Sequence, residues 1–308
     1  MSKLALILIN VGSPYKLDID DSQEFIYEML SDKHIMKVPF LLRKILASRI
    51  AKKSACRFLD RLNRVAIDGN SPLRYYTRSL REKLSDRISV SVLSAYMYSG
   101  PKIRDAVMLA KRRGATEYVF IPLYPQYLDS TTLSAKEQVE EVMEELRRSW
   151  SFCEYYWDEP LYIDAIASSC EEQMKKSEAL VVSFHSIPEK DKDKSSYVRD
   201  CEATVKLIAE RFPNKIVTIA WQSAMKKNKW LCPSVEEVVK GLVDNSVKNI
   251  SVVCAGFALE CTETLYDIDI TLREYFKSIG GENFEYVKCL NDSEAHVDLL
   301  ENLFYKYE

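Results

Sequence analysis

The 308 residues carry 43 Lys and Arg against 46 Asp and Glu, a formal net charge of -3, so the charge balance gives no case for nucleic acid as a partner. Hydrophobic residues make up 47% and charged residues 29%, the proportions of a globular protein rather than a disordered one. The length suits two domains with cores of their own, and no run of about 18 apolar residues occurs, so no transmembrane helix is expected.

The chain opens on an apolar run, Leu4 to Val11, closed by Gly12-Ser13-Pro14. The run is too short to span a bilayer and ends as a strand does at a loop, so it reads as a first core strand rather than a signal peptide. A cytoplasmic protein is expected. Further along, Ile35 to Lys53 mixes Met36, Phe40, Leu41, Leu42, Ile45, Leu46 and Ile50 with Arg43, Lys44, Arg49, Lys52 and Lys53 and holds no acid. Two readings stand for this amphipathic basic stretch: a helix packed on the first domain, or a lip that covers a large apolar, acid-bearing ligand or touches a membrane surface.

Seven more β-rich runs follow: Ser89 to Ala95, Glu117 to Tyr124, Phe152 to Trp157, Ala179 to His185, Lys215 to Gln222, Asn249 to Ala255 and Phe284 to Cys289. Helical stretches separate them, and Ser134 to Arg148 and Ser234 to Val243 each begin with a serine cap. Alternation of this kind signals βαβ units and parallel sheets. The expected fold class is therefore α/β, two Rossmann-like domains each with a four-stranded parallel sheet flanked by helices. Asp158-Glu159-Pro160 marks the boundary, giving domains 1–159 and 160–308, with the last helix a candidate to pack back on the first domain. The run Glu189 to Lys194 alternates in sign and reads as a solvated loop. Eight cysteines are scattered with no C-x-x-C pair, which argues for packing residues rather than a zinc site or disulfide framework.

Three histidines can be weighed one by one. His34 and His296 fall in polar contexts expected to be exposed and without special role. His185 instead ends the apolar run Val181-Val182-Ser183-Phe184, and the end of a strand in an open α/β sheet is where ligands bind. Glu260, Glu263 and Asp267 are spaced i, i+3 and i+7, so on an α-helix they would line one face. They follow the strand ending at Ala255, which puts them near the same sheet edge as His185. An imidazole with carboxylates suits taking up a divalent cation and removing protons. No G-x-G-x-x-G and no G-x-x-x-x-G-K-[ST] occurs, so nucleotide fingerprints are absent. Tyr15, Tyr98, Tyr124, Tyr127, Trp221 and Trp230 are candidates either for core packing or for holding a flat ligand.

With these residues in view the chain resembles the ferrochelatases. The matching stretches are Leu8-Ile9-Asn10-Val11-Gly12-Ser13-Pro14, Leu30-Ser31-Asp32, Gly69-Asn70-Ser71-Pro72, Pro122-Leu123-Tyr124-Pro125-Gln126-Tyr127 with Ser130-Thr131-Thr132, Ser183-Phe184-His185-Ser186-Ile187-Pro188, Trp221-Gln222-Ser223, Trp230-Leu231, Gly256-Phe257 and Glu263-Thr264-Leu265. The resemblance implies insertion of Fe²⁺ into a porphyrin, protoporphyrin IX or coproporphyrin III, in haem synthesis, with a porphyrin cleft between two domains. It also implies His185 and Glu263 as catalytic and metal-site residues, and Tyr15, Ser71, Tyr98 and Trp230 as porphyrin contacts. Porphyrin and ferrous iron are then the partners, and no organic cofactor is needed; the basic apolar stretch allows peripheral membrane contact, and the oligomeric state, a monomer among the choices, stays open. The chain ends soon after Cys289, without the cysteine-rich tail that holds an iron-sulfur cluster in some relatives, so no cluster is expected. Three departures, Asp68-Gly69-Asn70 for a glycine-rich turn, Met97 for an arginine before Tyr98, and Ala255 for a proline, bear on propionate contacts. The competing expectations are a chelatase for another metal and tetrapyrrole, and a haem or porphyrin carrier that inserts nothing.

Overall fold

The computed structural model describes residues 3–224 and 229–308, and the chain divides into two compact units. One comprises Met1–Tyr124, Leu128–Tyr155 and Asp292–Glu308; the other comprises Pro125–Tyr127 and Tyr156–Asn291. Each is built on its own four-stranded, wholly parallel sheet.

In the first unit, strands β1 (Leu4–Asn10), β2 (Ser91–Tyr96), β3 (Glu117–Pro122) and β4 (Ser149–Phe152) run in the order β2-β1-β3-β4. Ala5 to Ile9 are wholly buried. An unbroken apolar strand of this kind has no wet face, so it needs helices on both sides of its sheet. Those covering elements are α1 (Ile19–Leu30), α2 (Phe40–Arg64), α3 (Pro72–Arg87), α4 (Ile103–Arg112), α5 (Ser134–Leu146) and the C-terminal helix Glu294–Tyr307. Ala47, Ala51 and Ala55 recur every fourth residue on the buried side of α2, and these small side chains let it lie along α1. Elsewhere on α2, Phe40, Leu41, Leu42, Ile45 and Ile50 are exposed.

The second unit repeats the plan with α6 (Pro160–Met174), β5 (Ala179–His185), α7 (Tyr197–Ala209), β6 (Ile216–Gln222), α8 (Val235–Asp244), β7 (Asn249–Val253), α9 (Arg273–Ser278) and β8 (Asn283–Val287), and its sheet order is β6-β5-β7-β8. The C-terminal helix of the first unit is α10. Helix α8 starts where a capping box fixes it: the Glu237 amide donates to Ser234 Oγ, and the Ser234 amide donates to the Glu237 carboxylate. In both sheets the first strand lies between the second and third, so successive crossovers depart in opposite directions from it. The carboxyl ends of β1 with β3, and of β5 with β7, are therefore topological switch points, where this class of sheet opens a crevice for ligands.

Some expectations need correction. The fourth strand is Ser149–Phe152, not Phe152 to Trp157. The aromatic run looks β-prone, but after the Cys153 amide bonds Phe120 O the chain leaves the sheet, and Tyr156 packs edge-on against Tyr162 in the second unit. Ser134 does not cap α5, because a π-helical turn, Asp129–Leu133, runs straight into the helix. Its hydroxyl donates to Asp32 instead. The charged run from Glu189 is not wholly solvated either: it opens on a short 3₁₀ turn, Glu189–Asp191, in which Asp191 is buried.

Candidate active site

Strand β5 is buried from Ala179 to Phe184 and surfaces only at its last residue, His185, beside Gln222 of β6. The imidazole Nδ1 lies 2.7 Å from the carbonyl oxygen of Ser186. A carbonyl can only accept, so Nδ1 donates there and Nε2 is the nitrogen left for other partners. That nitrogen lies 3.9 Å from Oε1 of Glu263, with the two side chains 36% and 43% exposed. The separation is too long for a direct hydrogen bond and short enough for one proton or one ion to be reached by both groups. The Tyr197 hydroxyl donates to the His185 carbonyl at 2.9 Å and fixes the strand end. Burial drives that phenol well above its ordinary pKa, so it remains a neutral donor. Trp230 stands beside the imidazole, with ring centroids 6.5 Å apart and planes tilted by 56°. A bridge between Trp230 and Pro188 holds it there.

Glu263 arrives from the other strand of the switch point. After β7 the chain turns and enters a π-helical segment, Glu263–Leu272, with the carboxylate in its first residue. The i→i+5 pattern widens each turn, so Glu263 and Asp267 stay close to one side. Glu260 does not join them, which corrects the expected row of three acids. It precedes the helical segment and is 1% exposed. Its carboxylate accepts from the Thr264 hydroxyl, from the Tyr286 hydroxyl at 2.8 Å and from the Cys289 amide at 3.0 Å. It therefore braces the turn that presents Glu263 and is not available to pass metal or protons at the surface.

The other residues expected to contact the porphyrin, Tyr15, Ser71 and Tyr98, lie in the first unit, as do His34 and His296. Tyr15, in the loop after β1, is 70% exposed. Ser71 is buried as the N-cap of α3, accepting from the Arg74 amide at 3.3 Å. Tyr98 is a core residue, 4% exposed, whose hydroxyl donates to Asp32 at 2.8 Å and lies 3.2 Å from Ser134 Oγ. Ser71 and Tyr98 thus shape the ground beneath a surface and offer little of themselves to a ligand. His34 is paired with Glu137 at 2.9 Å, and Lys33 reaches the same oxygen at 2.8 Å. His296, expected at the surface, is fully buried in the first turn of α10, where its position points it into the core.

Two contributors were not singled out from sequence. Tyr197 pins the strand end, but nothing in an amphipathic helix start announces that contact. Arg74, two residues after Pro72, donates from Nε to Ser13 O and Pro14 O and from Nη2 to Ser13 O, Ser99 Oγ and Gly100 O, so it knits the loops after β1 and β2 together. Five cysteines (Cys153, Cys170, Cys201, Cys254 and Cys289) are buried, and burial raises the pKa of four of these thiols, that of Cys170 to about 12. They are packing groups, not nucleophiles. Among the described residues, no group of three or more His, Cys, Asp or Glu side chains is arranged to hold a metal ion.

Chemically, the second unit offers one imidazole nitrogen and one carboxylate at the switch point, flanked by an indole. The family model described as Ferrochelatase matches residues 3–307. A ferrochelatase of Yersinia enterocolitica is 33% identical over 312 residues, covering 98% of this chain and 97% of the relative. One from Sodalis glossinidius is 32% identical over 311 residues, covering 98% and 93%. Among solved structures, SirB from Bacillus subtilis with Fe3+ superposes with a TM-score of 0.61 over 99% of this chain and 95% of that one, at 15% identity, a likeness of fold. With one family's pattern running through nearly every residue and relatives a third identical from end to end, the chain belongs to the ferrochelatase family.

Proposed function

We propose that this protein is a lyase that inserts ferrous iron into a porphyrin, releasing the two pyrrole protons, in haem synthesis. The observation that carries the reading is the approach of His185 Nε2 to Glu263 Oε1 at 3.9 Å on a sheet's ligand-binding edge. Fe²⁺ is substrate here, and two protein donors leave its other coordination positions for water and then for the pyrrole nitrogens. Imidazole and carboxylate both bind iron, and both serve as proton acceptors in general-base catalysis. His185 would take a pyrrole proton or present the metal, with Glu263 as partner base or ligand and Asp267 behind it. Trp230 would flank the macrocycle, and the exposed ring of Tyr15 would present a flat surface to it. No organic cofactor and no iron-sulfur cluster enters this scheme.

We further read the exposed apolar residues of α2, with Arg49, Lys52, Lys53 and Arg57 along the same helix, as a peripheral contact with an anionic membrane surface on the cytoplasmic side, made by a monomer. Among the described residues no helix is long and apolar enough to cross a membrane.

The deciding experiment mixes purified protein anaerobically with Fe²⁺ and porphyrin and follows the loss of porphyrin fluorescence. Removing a group that accepts a proton in the transition state costs about a hundredfold or more, so His185→Ala and Glu263→Gln should bind porphyrin yet insert iron at least that much more slowly. Wild type that binds porphyrin without insertion above background would make this a carrier. Protoporphyrin IX and coproporphyrin III, compared by kcat/KM, assign the substrate, and cobalt in place of iron tests metal choice.

A further inference from the structure

Arg74 is a half-buried cation that the mechanism above does not use. It leaves the first turn of α3, where Ser71 Oγ accepts its amide, and its guanidinium turns back between two tyrosine rings, 4.7 Å from the centroid of Tyr96 and 5.2 Å from that of Tyr15. Every hydrogen bond it makes goes to a neutral oxygen: Ser13 O at 3.0 and 2.8 Å, Pro14 O at 2.9 Å, Ser99 Oγ at 2.9 Å and Gly100 O at 3.0 Å. Asp21 acts on it only through space, as the weakest of the influences on its charge, and burial holds the guanidinium below its ordinary pKa. An arginine partly withdrawn from water without a bonded carboxylate is a costly way to tie two loops together. The geometry shows what it holds. Gly12 lets the loop after β1 pass so close to Ser99 that a Cβ there would meet Ser99 Oγ at 2.4 Å. Tyr15 directly follows the Ser13 and Pro14 carbonyls, and its ring lies against the guanidinium while the residue stays 70% exposed.

We propose that Arg74 is the positioning residue that sets Tyr15 as a rigid aromatic platform for the porphyrin. The inference rests on the function proposed above and adds the group that orients the first unit's contribution to substrate binding. The planar fork is essential to it: Nε and Nη2 address two loops at once and the flat face stacks on Tyr15, which a lysine ammonium cannot reproduce.

The test is a double-mutant cycle on the full chain, with Arg74→Lys, Tyr15→Leu and the pair, reading porphyrin Kd by fluorescence quenching together with KM and kcat for iron insertion. A desolvated cation–π contact and an ordered loop together lead us to expect each single variant to raise Kd and KM about fivefold to tenfold with kcat changed less than about twofold. The pair should be no worse than the poorer single variant, because both remove the same platform. Losses in Kd that multiply would show that Arg74 does not act through Tyr15 and would overturn the proposal, as would a fall in kcat with Kd unchanged. If Arg74→Lys does not fold, Ser99→Ala removes one acceptor and keeps the arginine. It should raise Kd about twofold in wild type and not at all in Tyr15→Leu, and equal effects in both backgrounds overturn the proposal. Wild type that binds no porphyrin sinks the functional reading and this inference together; wild type that inserts iron alongside variants that match it sinks this inference alone.

Discussion

Glu260 is pulled in two directions. Burial pushes its carboxyl pKa up, while Thr264, Tyr286 and the Cys289 amide pull it down, and burial wins. In the unfolded chain the group titrates near 4.5. Between that pH and the higher folded value, the native state keeps a proton that the unfolded chain has lost. Stability therefore falls as pH rises through the window, and above the folded value the loss is complete. Glu260→Gln is neutral at every pH and removes this dependence. Its melting temperature minus that of wild type, measured by circular dichroism from pH 4.5 to 8, should increase with pH. A difference that stays flat would mean the Glu260 carboxyl titrates alike in both states.

Within the second unit, the element that sets the geometry of Glu263 is the π-helical segment and the short helix α9 that continues it. That helix ends on Gly280 and Gly281, where the Gly281 amide bonds Phe276 O at 3.0 Å. A Cβ at Gly281 would stand 2.2 Å from the Phe276 ring, which is wholly buried. The ring cannot swing aside, because it packs on Phe284 of β8 with centroids 5.9 Å apart. Gly281→Ala should cost about 1 to 3 kcal/mol by overpacking, read as a lower urea midpoint with an unchanged m-value. A midpoint equal to wild type would show that this corner can relax. At the other sheet, α3 and α10 are joined through Arg87, whose Nη1 bonds Asp298 and Glu301 and whose Nη2 bonds Glu294. These are exposed pairs, and they contribute alignment more than energy.

On the scale of the whole molecule, the two units carry the same strand order, and each leaves its first strand's carboxyl end at a switch point. The first unit's loop after β1 presents Tyr15, and the second unit's corresponding position presents His185. At the start of α2, Phe40 is 60% and Leu41 75% exposed. Co-sedimentation with vesicles containing about a third anionic lipid, at low and at physiological salt, tests the membrane contact. Each basic residue near such a surface contributes about 1 kcal/mol, so Lys52→Glu with Lys53→Glu should weaken binding at least tenfold, and Leu41→Asp should weaken it by removing the inserted side chain. No sedimentation of wild type at low salt would sink the idea.

The sequence by itself determined the fold class. Seven of the eight strands lie within two residues of where apolar runs bounded by turn residues put them, because a strand buried on both faces must be apolar without interruption, and that is visible in one dimension. It also set His185 as the last residue of its apolar run, while Glu263 follows the next such run at a distance of ten residues, through a turn. Tertiary structure decided what depends on residues far apart in the chain. Glu260 and Glu263 look alike in sequence, yet one is buried under Tyr286 and the Cys289 amide and the other faces water, because the segment between them is not an α-helix. His296 reads as polar surface and lies in the core, and Tyr98 reads as a ligand contact and has its hydroxyl on Asp32. Arg74 is silent in the sequence because its partners lie 25 to 61 residues away. Periodicity records which side of an element is buried; which group a side chain meets there is a property of the fold.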